Sequence, residues 1–342
     1  MSLISNLEFA PAPMPQTEQL ILRELLAHEG EWVSGAALAR RLGLSRVGIW
    51  QRMEQLRAAG FTLEARRARG YRLVHAPEQL YAPLVETLLR GRPRGFSLLV
   101  LEEVDSTNDE VLRQLAAGRP TPFAVLAKKQ TQGRGRFGRA WHSASPQNLY
   151  ASFGFRPRVP PARMPLFTLW MGVNLCELLT HFTPEAPRVK WPNDLVYGSR
   201  KAGGMLTEAR IDADQIRDLV FGVGLNVNTP PEAWPTDLAR RAVSLGQVAG
   251  RPIDLNRLAA ALIGRVLLAY TAFVEERHRE GFAERWHRHD LLRGRAVTLL
   301  EGGRRHHGTV VGLDDEGALL LRDGSARLLR FRAGEVTVER EP

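Results

Sequence analysis

Apolar residues recur at helical intervals in TEQLILRELLAH, where Leu20, Ile21, Leu25 and Leu26 fall on one side. After the turn EGEW, the stretch SGAALARRLGLSRVGIWQRMEQLRAAGF carries two further helical periods. Leu38 and Leu42 belong to the first; Val47, Ile49, Trp50, Met53 and Leu56 belong to the second. Ser34 and Ser45 stand where N-caps are needed, Gly43 permits a tight turn, and Gly60 closes the second helix. FTLEARRARGYRL then places apolar ends around a basic centre with a glycine, the pattern of a two-stranded wing. This order predicts a winged helix-turn-helix over residues 17–76. Residues 1–16, with their Pro-Ala-Pro run, read as a disordered leader.

Past Pro77 the periods alternate between two and 3.6. GFSLLVLEEV, FAVLAKKQ, NLYASFGF, KAGGMLTEARI and DLVFGVGLNVN read as strands. The stretch after DSTN, LFTLWMGVNLCELLTHF, LNRLAAALIGRVLLAYTAFVEE and GFAERWHRHD read as helices. Residues 77–292 are therefore expected to form an α+β domain, a central mixed sheet with helices on one face. From 293 to 342, short strands punctuated by Gly-Gly, Asp-Glu-Gly and Asp-Gly turns predict a small SH3-like β-barrel. No apolar run approaches the ~18 residues of a membrane span, and no export signal is read at the N-terminus. The single cysteine, Cys176, allows no intrachain disulfide and sits in an apolar helix as an inert thiol. A cytoplasmic protein without a membrane role is expected.

Charge sharpens the picture. The net charge is +10, and the segment from Arg40 to Ala76 holds nine arginines against two acids, Glu54 and Glu64. A helix-turn-helix with so basic a surface predicts operator DNA as a partner. Ser45, Arg46, Gln51, Arg52 and Gln55 are the groove-facing candidates, and Arg66, Arg67 and Arg69 at the wing tip the phosphate contacts. Only four basic residues are lysines: Lys128, Lys129, Lys190 and Lys201. They cluster in one part of the chain, beside QGRGRFGRAW. That stretch is short and bounded by strand signals, so it is no low-complexity nucleic-acid tail. Its glycines let backbone N–H groups approach an anion and its arginines neutralise one. It has neither the P-loop spacing nor that of a dinucleotide fingerprint. It reads as a mobile, anion-gripping loop. The histidines at 287, 289, 306 and 307 lack metal-ligand spacing and read as surface.

DSTN, KKQTQGRGRFGRAW, NLYASF, KWPNDLVY, RKAGGMLTE and GVGLNVN occur in this order, the lysine of RKAGG seven residues beyond Asp194. In this the chain resembles the biotin–protein ligases, and with its helix-turn-helix the bifunctional class that also represses the biotin operon. The resemblance implies a class II synthetase-like central fold. It implies formation of biotinyl-5′-AMP from biotin and ATP, then transfer to a lysine of the biotin carboxyl carrier protein of acetyl-CoA carboxylase. It assigns Ser106, Thr107, Asn108 and Gln130 to biotin, and Arg134, Gly135, Arg136 and Lys201 to its carboxylate and the adenylate phosphate. Lys190, Asn193, Asp194 and Asn226 go to ATP, with Asp194 also a magnesium ligand. Arg136, Lys201 and Asp194 become the catalytic set, and a homodimer is implied when ligand is bound. Two positions depart from the pattern. Phe137 replaces a third basic loop residue, so closure is expected to lean on apolar packing. Ala242 stands where repressor-type relatives carry a tryptophan that packs on adenine. A lipoate-type acyl-adenylate ligase and a ligand-sensing DNA-binding regulator without ligase activity are the competing readings.

Overall fold

A computed structural model of the chain describes residues 16–89, 95–143 and 145–339. The expected leader lies outside them except at its last residue. Helices α1 (Gln16–Ala27), α2 (Gly35–Leu42) and α3 (Arg46–Ala58) precede the hairpin β1 (Thr62–Arg66) and β2 (Gly70–His75). Ser34 and Ser45 accept hydrogen bonds from Ala37 N–H and Gly48 N–H, capping α2 and α3 as the sequence predicts. Gly43 adopts the left-handed turn between them. The core of this unit is Ile21, Leu22, Leu25, Leu38, Ile49, Met53 and Leu56. Two expected core positions on α3 are instead open to solvent: Val47 is 62% and Trp50 53% exposed. Leu20, expected on the inner side of α1, gives its place to Leu22.

Helix α4 (Ala82–Leu88) joins this unit to the rest, packing on α1 and on α8 (Leu255–Val274). The joint is pinned by Asn256, whose side chain is fully buried. Its amide oxygen accepts from Tyr81 N–H at 2.8 Å, and its NH2 donates to Pro77 O at 2.9 Å and Gln79 O at 3.0 Å. Truncation strands three backbone groups, so Asn256→Ala is expected to lower unfolding stability by about 3 kcal/mol. Urea denaturation measures this; a loss under ~1 kcal/mol would show that water replaces the amide.

Seven strands form the central sheet: β3 (Ser97–Val104), β4 (Phe123–Gln130), β5 (Leu149–Phe155), β6 (Arg188–Lys190), β7 (Asp194–Tyr197), β8 (Arg200–Asp212) and β9 (Gln215–Leu225). Their spatial order is β3-β4-β5-β9-β8-β7-β6, with only β3 and β4 parallel. The sheet is thus mixed, as expected. Its helices do not all share a face. Helix α6 (Met164–Leu179), α8 and α9 (Phe282–His289) bury the side that carries Ala124, Leu126, Phe153 and Phe221. Helix α5 (Thr107–Ala116) covers the other with Val111 and Leu115, against Phe123, Val125 and Val220. Successive residues of β4 go to opposite clusters because side chains alternate along a strand.

Helix α8 corrects one expectation. Its twenty residues are long and apolar enough, by length and composition, to cross a membrane. Here the helix packs on α6, and Trp170 Nε1 donates to Ala269 O at 2.8 Å. Cys176 is buried in α6, and burial pushes its thiol well above the usual range, in keeping with an inert role. The short helix α7 (Leu245–Ala249) precedes α8. The C-terminal unit is a five-stranded antiparallel sheet of β10 (Ala296–Glu301), β11 (Arg304–Leu313), β12 (Leu319–Arg322), β13 (Leu328–Phe331) and β14 (Glu335–Val338), ordered β13-β12-β11-β10-β14. Val297, Leu299 and Phe331 join the main core, so the unit is packed against the central domain.

Candidate active site

A cavity of about 490 Å³ opens between α5, the glycine-arginine loop, the strands β6 to β9 and the start of β14. Its floor is built from DSTN. Ser106 holds the N-cap position of α5 but makes no capping bond with its side chain. Its buried hydroxyl lines the cavity instead. Thr107 donates N–H and Oγ1–H to Gln130 Oε1 at 2.8 and 3.0 Å. Gln130 Nε2 donates to Ser143 Oγ at 2.8 Å. Ser152, not anticipated from the sequence, lies within 2.7 Å of Thr107 Oγ1 and 2.6 Å of Asn108 Oδ1. The result is a buried rank of neutral donors and acceptors whose orientations are set by one another.

Glycines of β9 make room for this floor and for Trp141. A Cβ on Gly222 would sit 2.2 Å from Asn108 Oδ1, and one on Gly224 would sit 2.6 Å from the Trp141 indole. Trp141 lines the cavity with its Nε1–H buried and without a partner among the described residues.

The opposite end is cationic. Strand pairing sets Lys190 opposite Asp194, and Asp194 opposite Gly204. A bulge after Leu195 lets Lys201 reach back, so that Nζ meets Asp194 Oδ1 at 2.7 Å and stands 5.0 Å from the Trp141 ring centre. Asp194 thus pairs with Lys201. The backbone of Lys201 is clamped by Arg241 O and Val243 N–H, which places Ala242 in a buried bridge beside it. Burial pushes the Lys190 ammonium below its usual range, with Lys201 adding to the effect and Asp194 and Glu335 opposing it. Burial likewise lowers Arg136, with Asp194 and Glu335 opposing.

The loop is ordered by its own short ladder. Gly135 N–H donates to Arg139 O, and Trp141 N–H to Gly133 O. Gly133 is required there, because a Cβ would lie 2.7 Å from Trp141 O. Its two inner arginines part company. Arg134 is held bidentate by Glu208, at 2.9 and 2.8 Å, and by Asp109 at 2.7 Å. Glu208 also accepts from Asn108 Nδ2 at 2.6 Å. Arg136 faces inward, near Gly334 O at 3.5 Å, and Arg139 pairs with Glu335. The C-terminal sheet thus supplies one wall. Phe137 does not supply the expected apolar packing: it is 63% exposed and touches the Arg136 guanidinium, 4.7 Å from its ring centre.

All the residues assigned to biotin and ATP line this cavity except Asn226. That side chain is buried behind it, donating to Lys201 O at 3.1 Å and Val243 O at 3.3 Å. The sequence missed Glu208, Ser152 and Glu335, since nothing local marks them as partners of Asn108 or the loop. In the helix-turn-helix, Ser45, Arg46, Gln51 and Gln55 are exposed and Arg52, half-buried, donates to Gln55 at 3.0 Å. Arg66, Arg67 and Arg69 are exposed on the wing.

Three family models match the chain: an HTH domain over 17–72, the Biotin/lipoate A/B protein ligase family over 100–226, and the Biotin protein ligase C terminal domain over 293–338. The bifunctional ligase/repressor BirA of Bacillus subtilis is 32% identical over 312 residues, 90% of this chain and 95% of that one. The chain belongs to the biotin–protein ligase family. The Escherichia coli member named bifunctional ligase/repressor BirA is 34% identical over 330 residues, covering 94% of this chain and 97% of its own. Among solved members, the biotin protein ligase of Aquifex aeolicus in complex with biotin and ATP matches with a TM-score of 0.61 and 29% identity, over 72% of this chain and 99% of that one. The three-unit architecture is thus that of a ligase with an N-terminal helix-turn-helix.

Proposed function

We propose that the chain condenses biotin with ATP, passes the biotinyl group to a lysine of a biotin carboxyl carrier protein, and binds operator DNA as a repressor. The observation that carries the enzymatic reading is one cavity with two chemically distinct ends. Neutral hydrogen-bonding groups at Ser106, Thr107, Asn108 and Gln130 suit a ureido head, which both donates and accepts. A dithiolane could satisfy none of them, which favours biotin over lipoate. Arg136, Lys190 and Lys201 at the other end suit two anions that must meet. In the first step a carboxylate oxygen of biotin attacks the α-phosphorus, and the bond to pyrophosphate breaks. In the second, a lysine amine attacks the acyl carbon and AMP leaves. The repulsion between the reactants is what the three cations offset, in a site where poor solvation strengthens each contact. Asn226 acts on Lys201 through its backbone carbonyl.

For magnesium the residues fit a partial site. Asp194 and Asn193 are the oxygen donors at hand, and no cluster of three or more His, Cys, Asp or Glu exists among the described residues. Such an ion would be held with the phosphates of ATP and would supply charge neutralisation there. Bound adenylate completes a loop already anchored to Glu208 and the C-terminal wall, and dimerisation follows from that ordering.

Incubation with biotin, ATP, magnesium and a carrier domain tests the reading. Labelled carrier with biotin and none with lipoate is the expected result; lipoylation, or no transfer, rejects it. Glu208→Gln keeps an acceptor for Asn108 but loses one of the two charges that hold Arg134, leaving Asp109. It is expected to speed adenylate release about fivefold, the worth of ~1 kcal/mol for a half-exposed pair. Stopped-flow dissociation measures this, and an unchanged rate would remove Arg134 from loop closure.

A further inference from the structure

We infer that Val47 and Trp50 form an apolar reading surface for the 5-methyl groups of thymine in a duplex major groove. This rests on the DNA-binding reading of the helix-turn-helix and gives that site its base preference.

Ile49, Met53 and Leu56 face the core and fix the rotation of α3. Val47 and Trp50 are consequently held outward, 62% and 53% exposed, three residues apart and therefore neighbours on the helix surface. Both lie in the first five residues of α3 (Arg46–Ala58), the end of a recognition helix that approaches base edges. Exposed Gln51 lies beside them.

The surroundings select the partner. Arg46, on α3, and Arg66, Arg67 and Arg69, on the wing, are exposed around the helix-turn-helix. The guanidiniums of Arg66 and Arg72 stand 5.3 and 5.0 Å from the Trp32 ring centre, so the wing carries an anchored positive rim. An apolar pair next to Arg46, on a unit whose wing also exposes arginines, is complementary to a target with anionic rims and an apolar recess. Duplex DNA offers that: phosphates line the groove, and the thymine methyl is the apolar group that base pairs present in it. A purely apolar protein surface would gain nothing from the arginines.

The experiment uses the full chain with biotin and ATP to select duplexes from a random library. Thymines in the enriched site are then replaced singly by deoxyuridine, which removes the methyl alone. Wild type is expected to weaken about fourfold at each contacted thymine, the worth of one buried methyl-sized group. Val47→Ala/Trp50→Ala, and Trp50→Ala alone, should lose that discrimination to within about twofold. They should keep the salt dependence of binding, because phosphate contacts remain. Circular dichroism confirms their fold. If no sequence is enriched, the DNA-binding reading itself fails and this inference with it. If a site is enriched but uracil weakens wild type and variants alike, or neither, the DNA reading stands and this inference is overturned. Loss of self-association in the variants with uracil discrimination intact would assign the pair to an interface between copies, which also overturns it.

Discussion

Lys201→Ala is expected to slow adenylate formation by two to three orders of magnitude, with the fold intact. The magnitude is that of removing one preorganised donor aimed at developing charge. Lys201 is suited to this role because its position is set three times over. Arg241 O and Val243 N–H clamp its backbone, Asn226 binds its carbonyl, and Asp194 holds Nζ at 2.7 Å. Little stability is at stake, since the pair is partly exposed and such pairs contribute on the order of 1 kcal/mol or less. Loss of the ammonium also leaves Asp194 to oppose an incoming anion. Biotin-dependent pyrophosphate exchange measures the step. Lys201→Arg should recover part of the rate, because the charge returns with a bulkier geometry. Exchange at the wild-type rate in Lys201→Ala would reject the assignment of this lysine to the reacting groups.

Gly222→Ala should act at the other end and by another mechanism. Its methyl would need the space of Asn108 Oδ1, 2.2 Å away. Asn108 cannot yield cheaply, because Ser152 and Glu208 hold both ends of its amide. Overpacking of this kind costs about 1–3 kcal/mol. If the cost falls on the biotin floor, KM for biotin rises some 10- to 100-fold while the rate at saturation changes less. The double variant Asn108→Ala/Gly222→Ala removes the clash and should be far less than additive. Additive losses would show that Gly222 is needed for some reason other than Asn108.

The three-unit order, the capped helix-turn-helix and the order of the motifs along the chain can be read from the residues alone. These are legible because caps, turns and periods of two or 3.6 are local properties, and because Lys190, Asp194 and Lys201 lie within twelve residues of one another in the chain. The convergence of DSTN, the loop and the KWPND region was legible too, though only as a resemblance carried by motif order. The rest depends on contacts that only the folded chain makes. An apolar stripe says which residues can share a face, not how far a neighbour covers it, so Val47 and Trp50 read as core and proved exposed. Residues far apart in sequence carry no mutual signal, which hid Glu208 behind Asn108 and Arg134, and Glu335 behind Arg139. Ser106 occupies a cap position without capping, and Asn226 supports Lys201 from behind, because a side chain's bond is chosen by the partners that folding brings within about 3 Å.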